Sequence, residues 1–484
     1  MKSKIALTAL LIGAGTASVS ASPWAEVGDD QLRGDIELLS ASGAVDEVST
    51  HWPLPWNSLA DALGHQDLSS EPLAIQDAAR RVMAEAKAGL ATGFSASLYA
   101  DATNQAATVY GFDGMGRGKG AAQVSLEYNT AGFSSRVSLG AFSPSFNGHG
   151  NKVMPEGTYF ATTIGEGALV YAGYLDHWWG PGWISSLSLS NNTRPMPQIG
   201  IERLDTSASS WPILRWLGPW QVEFVLGMLD GPRIQPDTFY NALRLTFHPL
   251  PGLEIGLARS EEFCGQGHPC SPLRDYFDFN NDPTHVNRTN DQGLIDIKYS
   301  YRLGGMPMQS YLQVMNEDSD PIQHSGSSHL FGTTIFVPTP GNPLRLTVEY
   351  TDSVATLDIF GFDNVMHGVA YNNSTYPDGM RYRGRSLGFS LDSDSRLLSF
   401  QGGWTDSSGR FYELSFHHAQ ISDPLNMAGN AVTTAPVTAN IGEARVSLPL
   451  PGMKLDLAAR LQDDQPRPDK GFTAGFEAAL RVAL

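Results

Sequence analysis

Two cysteines in 484 residues are too few for a disulfide framework, and no later run of the chain is uncharged and apolar for the roughly 20 residues that a membrane-crossing helix needs. Positive charge is scarce too. Only 32 Lys and Arg stand against 50 Asp and Glu, a formal charge of −18, which disfavours nucleic acid or an anionic surface as a partner recruited through net charge. Catalytic signatures are missing as well: there is no Gly-x-Ser-x-Gly elbow, no phosphate loop and no His-Glu-x-x-His. Gly114, Gly116, Gly118 and Gly120 do not match a dinucleotide fingerprint and read as a hairpin loop. His417 and His418 fall on a strand, where neighbouring side chains point to opposite faces and cannot chelate one metal. Asp278, Asn280 and Asp282 begin like a calcium loop, but Pro283 stands where the glycine belongs and Thr289 where the closing Glu belongs. No metal, no cofactor and no enzymatic activity are therefore expected, although among 50 acidic residues some pair will always lie close enough to suggest glycoside hydrolysis.

What is present begins with an export signal. Lys2 and Lys4 precede an apolar run from Ile5 to Ala14 and the small residues Val19-Ser20-Ala21, the pattern of a secretory signal peptide over residues 1–21. Cleavage there removes two lysines and takes the charge from −18 to −20. In an exported chain Cys264 and Cys270, set among Gly265, Gly267 and Pro269, suit a disulfide that staples a loop. A metal site is a poor alternative, since His268 alone leaves the ligand set incomplete.

The mature chain divides near residue 92. Residues 22–92 read as helical: Asp30 can cap a helix that carries Leu32, Ile36 and Leu39 on one face and ends at Gly43, and a second runs from Asp77 to Lys87. Between them Trp52-Pro53-Leu54-Pro55-Trp56 must be irregular. Over 93–484 the period becomes two. Ala122, Val124, Leu126 and Tyr128 alternate with Gln123, Ser125, Glu127 and Asn129, and Trp220, Val222, Phe224 and Leu226 with Gln221, Glu223 and Val225. A large soluble β protein alternates in the same way, so connection lengths carry the next step. Tight turns at 249–252, 304–307, 338–341, 406–409 and 449–452 interleave with long segments at 262–289, 316–328, 353–395 and 420–439. Outer-membrane barrels have this asymmetry, with short periplasmic turns and long external loops. The count is 18 antiparallel strands, an even number that closes with both ends in the periplasm. The last strand keeps Phe472, Ala474, Phe476, Ala478, Leu480, Val482 and Leu484 on one face. A barrel this wide has a lumen that its wall side chains cannot fill, and the helical segment is placed to cover it.

Three further stretches name a family. They are Asp176-His177-Trp178-Trp179-Gly180-Pro181-Gly182-Trp183, then Arg194-Pro195-Met196, then Arg215-Trp216-Leu217-Gly218-Pro219-Trp220. With Asp30-Gln31-Leu32-Arg33 and Trp52-Pro53-Leu54, they make the chain resemble the capsule assembly protein Wzi family along nearly its whole mature length. The resemblance implies an 18-stranded barrel in the outer membrane of a Gram-negative bacterium, with a periplasmic helical bundle, acting as a lectin that fastens capsular polysaccharide to the cell. Expected partners are capsular or extracellular polysaccharide and outer-membrane lipid, and the chain is expected to be a monomer.

Candidate glycan contacts are Trp178, Trp179, Trp183 and Arg194, together with Tyr376, Asp378, Arg381, Tyr382 and Arg383 in the longest loop. Aromatic faces pack on the C–H face of a pyranose, carboxylates bind hydroxyls, and an Arg fork pairs with a uronate. Each group has a plainer reading: the tryptophans as an interface girdle or a loop packed on the wall, and Arg381 and Arg383 as part of an internal ion-pair network. The competing function is an outer-membrane channel or exporter for oligosaccharides.

Overall fold

The computed structural model describes residues 22–484 apart from 116, 144–152, 166, 269, 271–288, 318–325, 340, 363 and 467–470. The signal segment and Asp278, Asn280, Asp282 and Pro283 of the calcium-like stretch lie outside the described residues. Eighteen antiparallel strands close into a barrel. The first, Gly93–Thr103, pairs with the last, Thr473–Ala483, in a register running from Glu477 opposite Thr103 to Ala483 opposite Ser97. Closure leaves no sheet edge unpaired, the condition for a sheet that faces lipid.

The barrel is inside out relative to a soluble protein. On the second strand, Gly120–Asn129, Val124 and Leu126 are exposed while Ser125 and Glu127 are buried. On the third, Phe133–Phe142, Val137 and Leu139 are exposed while Arg136 and Ser138 are buried. The final strand turns Phe476 outward and Glu477 inward. Apolar outside and polar inside, alternating along each strand, is the signature of a transmembrane barrel and excludes the soluble β alternative.

Connections also differ between the two ends. Leu250 to Leu253, Leu303 to Met306 and Leu450 to Met453 are tight turns at the end where the first strand begins and the last one finishes. One connection at that end is long: residues 204–219, which include the 3-10 turn Arg215–Leu217 and lay Trp216 edge-on against Phe247 of the outer wall. At the opposite end all connections are longer, and several fold back into the lumen. The glycine-rich stretch 104–119 is one of these, an inward-folded segment rather than a simple hairpin loop, and it buries Phe112 against Trp52 and Trp178.

The segment ahead of the barrel forms three helices, α1 (Asp30–Ser42), α2 (Trp56–Gly64) and α3 (Leu73–Gly89). Asp29 rather than Asp30 caps α1, its side chain accepting from the Leu32 amide at 3.0 Å. Both acids are met by the barrel wall: Asp30 by Arg445, and Asp29 by Lys454 at 2.6 Å through the oxygen that does not cap the helix. Gly43 ends the helix in the left-handed region (φ 73°), as its position suggested. α3 is longer at both ends than the 77–87 pattern, and α2 starts at the last residue of the proline-containing stretch, where the sequence pattern showed no helix. Ile36, Leu39, Trp52, Trp56, Leu59 and Val82 form a common core.

This helical domain is held in the barrel by charge and hydrogen bonds. Lys298 Nζ lies 2.9 Å from Glu37 of α1 and 2.9 Å from Glu254. Glu254 also accepts from the Ser49 and Thr50 amides at 3.0 and 2.9 Å. Glu223 meets His51 and His177, each at 3.1 Å. Inward-facing charges would cost several kcal/mol each if left alone in a dry lumen, so the plug and the wall complete each other.

Candidate functional site

The Trp-Trp-Gly-Pro-Gly stretch lies where plug and barrel meet. Trp178 and Trp179 form a two-residue ladder with Trp52 and His51 of the helical domain. Gly180 (φ 142°) donates its N–H to Thr50 O at 2.9 Å, and a Cβ there would collide with the side chain of Gln313. The chain then wraps around one wall carboxylate: Glu349 accepts from the amides of Trp183 (2.7 Å) and Ser185 (2.7 Å) and from the Tyr311 hydroxyl (2.9 Å). Three successive amides, 183 to 185, converge on that one group.

Trp178, Trp179 and Trp183 are all at or below 2% exposure, so in this conformation their rings pack and do not meet solvent. Trp183 is covered by two guanidinium groups, Arg33 at 4.4 Å and Arg345 at 3.7 Å. Arg33 is completely buried between Phe112 and Trp183 with one hydrogen bond to Pro181 O, and burial lowers its pKa. Burial likewise pushes His51 below its ordinary value, which suits a neutral ring sharing a hydrogen bond with Glu223.

The other candidates sit higher, towards the long connections. Tyr376 is buried, donates to Cys264 O at 3.0 Å and stacks on His268, so the segment containing the Cys264–Cys270 disulfide is pinned to the longest loop. Asp378 accepts from the Ile234 amide at 2.7 Å. Arg381 pairs with Asp392 at 2.9 Å and donates to Tyr371 O and Asp378 O. Tyr382 and Arg383 both reach Asp230, Arg383 at 2.8 Å. Burial and that carboxylate raise the Tyr382 pKa. Arg383 holds φ near 50°, a left-handed conformation that costs an L residue about 1 kcal/mol or more, and its ion pair fixes it there.

The structure thus separates the nine candidates into three groups. The tryptophans form the plug seam. Tyr376, Asp378 and Arg381 knit the longest loop to its neighbours. Arg194 and Arg383, with Tyr382 beside them, border open space: both arginines line a cavity of about 340 Å³ against the first three strands and the last. Arg194 pairs with Glu156, donates to Val153 O at 2.8 Å and lies over the Phe142 ring at 4.3 Å. Sequence reasoning missed Arg117, Arg385 and Tyr110 on the same cavity. Arg117 stood inside the glycine series and Arg385 two residues past Arg383, but only the inward fold of 104–119 brings them together.

A family model, Capsule assembly protein Wzi, matches residues 90–462. The chain belongs to the Wzi family. An uncharacterized 55.8 kDa protein in the cps region of Klebsiella pneumoniae is 26% identical to this Wzi-family chain over 345 residues, which are 68% of the chain and 66% of that protein. The matched part is thus just under two thirds of the relative's length. Among solved structures, Wzi of Escherichia coli, described as an outer membrane protein involved in group 1 capsule assembly and a carbohydrate binding β-barrel, superposes with a TM-score of 0.81 at 19% identity, covering 94% of this chain and 98% of that one. At that identity the likeness speaks for the fold, a β-barrel shared over nearly the whole of both chains.

Proposed function

We propose that this protein is an outer-membrane lectin-like barrel that fastens capsular or extracellular polysaccharide to the cell surface, without catalysing a reaction on it. The match of the Wzi family model across most of the chain carries this reading. The geometry supports it. Exposed apolar side chains ring the outside of the barrel and suit lipid, and the folded-in connections bring arginines, tyrosines and carboxylates together at one end. Short turns and both chain ends face the periplasm, and the long connections, including the Cys264–Cys270 segment, face outward. The helical domain and the folded-in connections both pack inside the barrel, which suits a holder of polymer better than a channel.

Two measurements test it. Purified protein in detergent should bind isolated capsular polysaccharide and leave an unrelated neutral glucan unbound; equal binding of both, or of neither, contradicts the lectin reading. An epitope inserted at Gln266 should be detected on intact cells, and detection only after the outer membrane is opened would invert the orientation.

A further inference from the structure

The lumen is filled unevenly. Beside the plug lies the cavity of about 340 Å³, within the range of about 300–1,000 Å³ usual for ligand sites. Along the second strand its wall extends from Gly120 to Glu127, about 23 Å of strand at about 3.3 Å per residue, or about 18 Å of the height of about 25 Å of a barrel's apolar band at the usual tilt of about 40°. It is a deep space, bounded by polar strand faces on one side and by folded-in connections on the other.

Its arginines are presented in a particular way. Arg385 lies over Tyr110 at 4.0 Å, Arg194 over Phe142 at 4.3 Å and Arg481 over Tyr99 at 5.4 Å. A ring beneath a guanidinium positions it, and a positioned guanidinium can grip a carboxylate in two places; of the three, Arg481 is already paired with Asp456 at 2.6 Å. Arg385 is further fixed by an Nε hydrogen bond to Asn192 at 2.9 Å. Burial, and then the charge of nearby Arg117, lower the Arg385 pKa, so two guanidinium groups repel each other across one wall. An anion between them removes that repulsion. Among the described residues the ion-pair partner of Arg117 is a loose one, Asp176 at 3.4 Å, with both side chains about three-tenths exposed. Deeper down the situation changes: Arg136 is committed to Glu26 at 2.7 Å and to Glu127 at 2.8 Å. The cationic edge ends there.

We propose that the part of this cavity nearest the long connections, bounded by Arg117, Arg194, Arg383 and Arg385, is a socket for the carboxylate of an acidic sugar, a uronate unit of the bound polymer. The inference rests on the polysaccharide reading above and adds the charge of the recognised unit and its position. Because Arg136 and its two carboxylates close the lower part, the socket receives a chain end or a side branch and does not pass it through.

Full-length protein in detergent micelles should be titrated with an oligogalacturonate and with maltotriose. The socket predicts binding of the oligogalacturonate, weakening with added salt, and little response to maltotriose. Arg117→Gln combined with Arg385→Gln should weaken oligogalacturonate binding at least about tenfold, a change of about 1.4 kcal/mol. Glu156→Gln should strengthen it by releasing Arg194, a gain that a misfolded barrel cannot imitate. A wild-type protein indifferent to the charge of the sugar, or arginine variants that bind like wild type while still migrating as folded barrels, overturns the socket. Polymer retention by intact cells separates the two ideas: cells that lose polymer on deletion of the gene, with purified protein that ignores uronate, overturn the socket and leave the lectin function standing.

Discussion

The two sides of the lumen are built from the same kind of wall and end in opposite states. Against the strands from Trp220 to Thr356 the inward charges Glu223, Arg244, Glu254, Lys298 and Glu349 are all engaged, mostly by the plug or by the Trp178–Ser185 segment, and rings fill the gaps. Against the first three strands and the last the wall is equally polar, but there the plug supplies the short segment Glu26–Gly28, and a cavity remains. The difference teaches that burial of aromatic residues and availability of arginines belong to different places in this barrel. The seam keeps the lumen closed. The cavity side is where a ligand has room.

The largest test of that contrast is Trp178→Ala combined with Trp179→Ala. Removing a buried Trp ring typically costs about 3–5 kcal/mol, and these two join the plug to the inner connections. The double variant should conduct ions in a planar bilayer where wild type is nearly silent, while still shifting mobility on boiling. A silent double variant would make the seam unimportant. Glu349→Ala comes next. It strips three amides and a tyrosine of one shared acceptor, and hydrogen bonds to charged groups are worth about 1.5–3 kcal/mol each. Intermittent conductance and faster protease cleavage within 176–190 are expected; wild-type resistance would contradict the wrapped-carboxylate account.

Arg381→Ala with Arg383→Ala acts on the other side and should spare the plug. Both are partly buried ion pairs of the longest loop, and the change should reduce polymer retention without opening the lumen. Increased conductance would erase the distinction between the two sides. The smallest effect is on pH. Glu47 of the helical domain, bonded to Thr206 and close to His248, Asp46 and Asp205, is pushed up by burial to about 7. A raised carboxyl favours the docked state when protonated, so this contribution is complete below the ordinary value of 4.5 and is lost as pH rises through about 7. Trypsin should therefore cut the helical domain more readily above that pH, and Glu47→Gln should flatten the profile; a profile that runs the other way would contradict the assignment.

Much of this was legible in the residues. The period of two in Val124, Leu126 and Val222, Phe224 identified strands because lipid and lumen impose opposite polarity on successive positions. Turn lengths ordered them, and with short turns taken to one end, together with the family resemblance, the count came to 18. What the pattern could not reveal was anything that depends on a long connection returning inward. Trp178, Trp179 and Trp183 look like sugar platforms in a linear chain, since nothing local says that Trp52 and Arg33 will cover them. Asp29 and Asp30 are equally good caps in the linear chain, and both are met by wall cations more than four hundred residues away, Lys454 and Arg445. α2 escaped because Pro53 and Pro55 mask a helix that begins just after them. The cavity escaped for the same reason as the seam. Tyr110, Arg117, Arg194 and Arg385 are distant in sequence and meet only through folded-in loops.

The central claim, that the protein holds polymer on the cell, is tested most directly by measuring surface-retained and released polysaccharide in cells with the gene, without it, and with it restored. The account predicts that total polysaccharide stays the same while the retained share falls on deletion and returns on restoration. An unchanged retained share in the deletion, at normal synthesis, would contradict it.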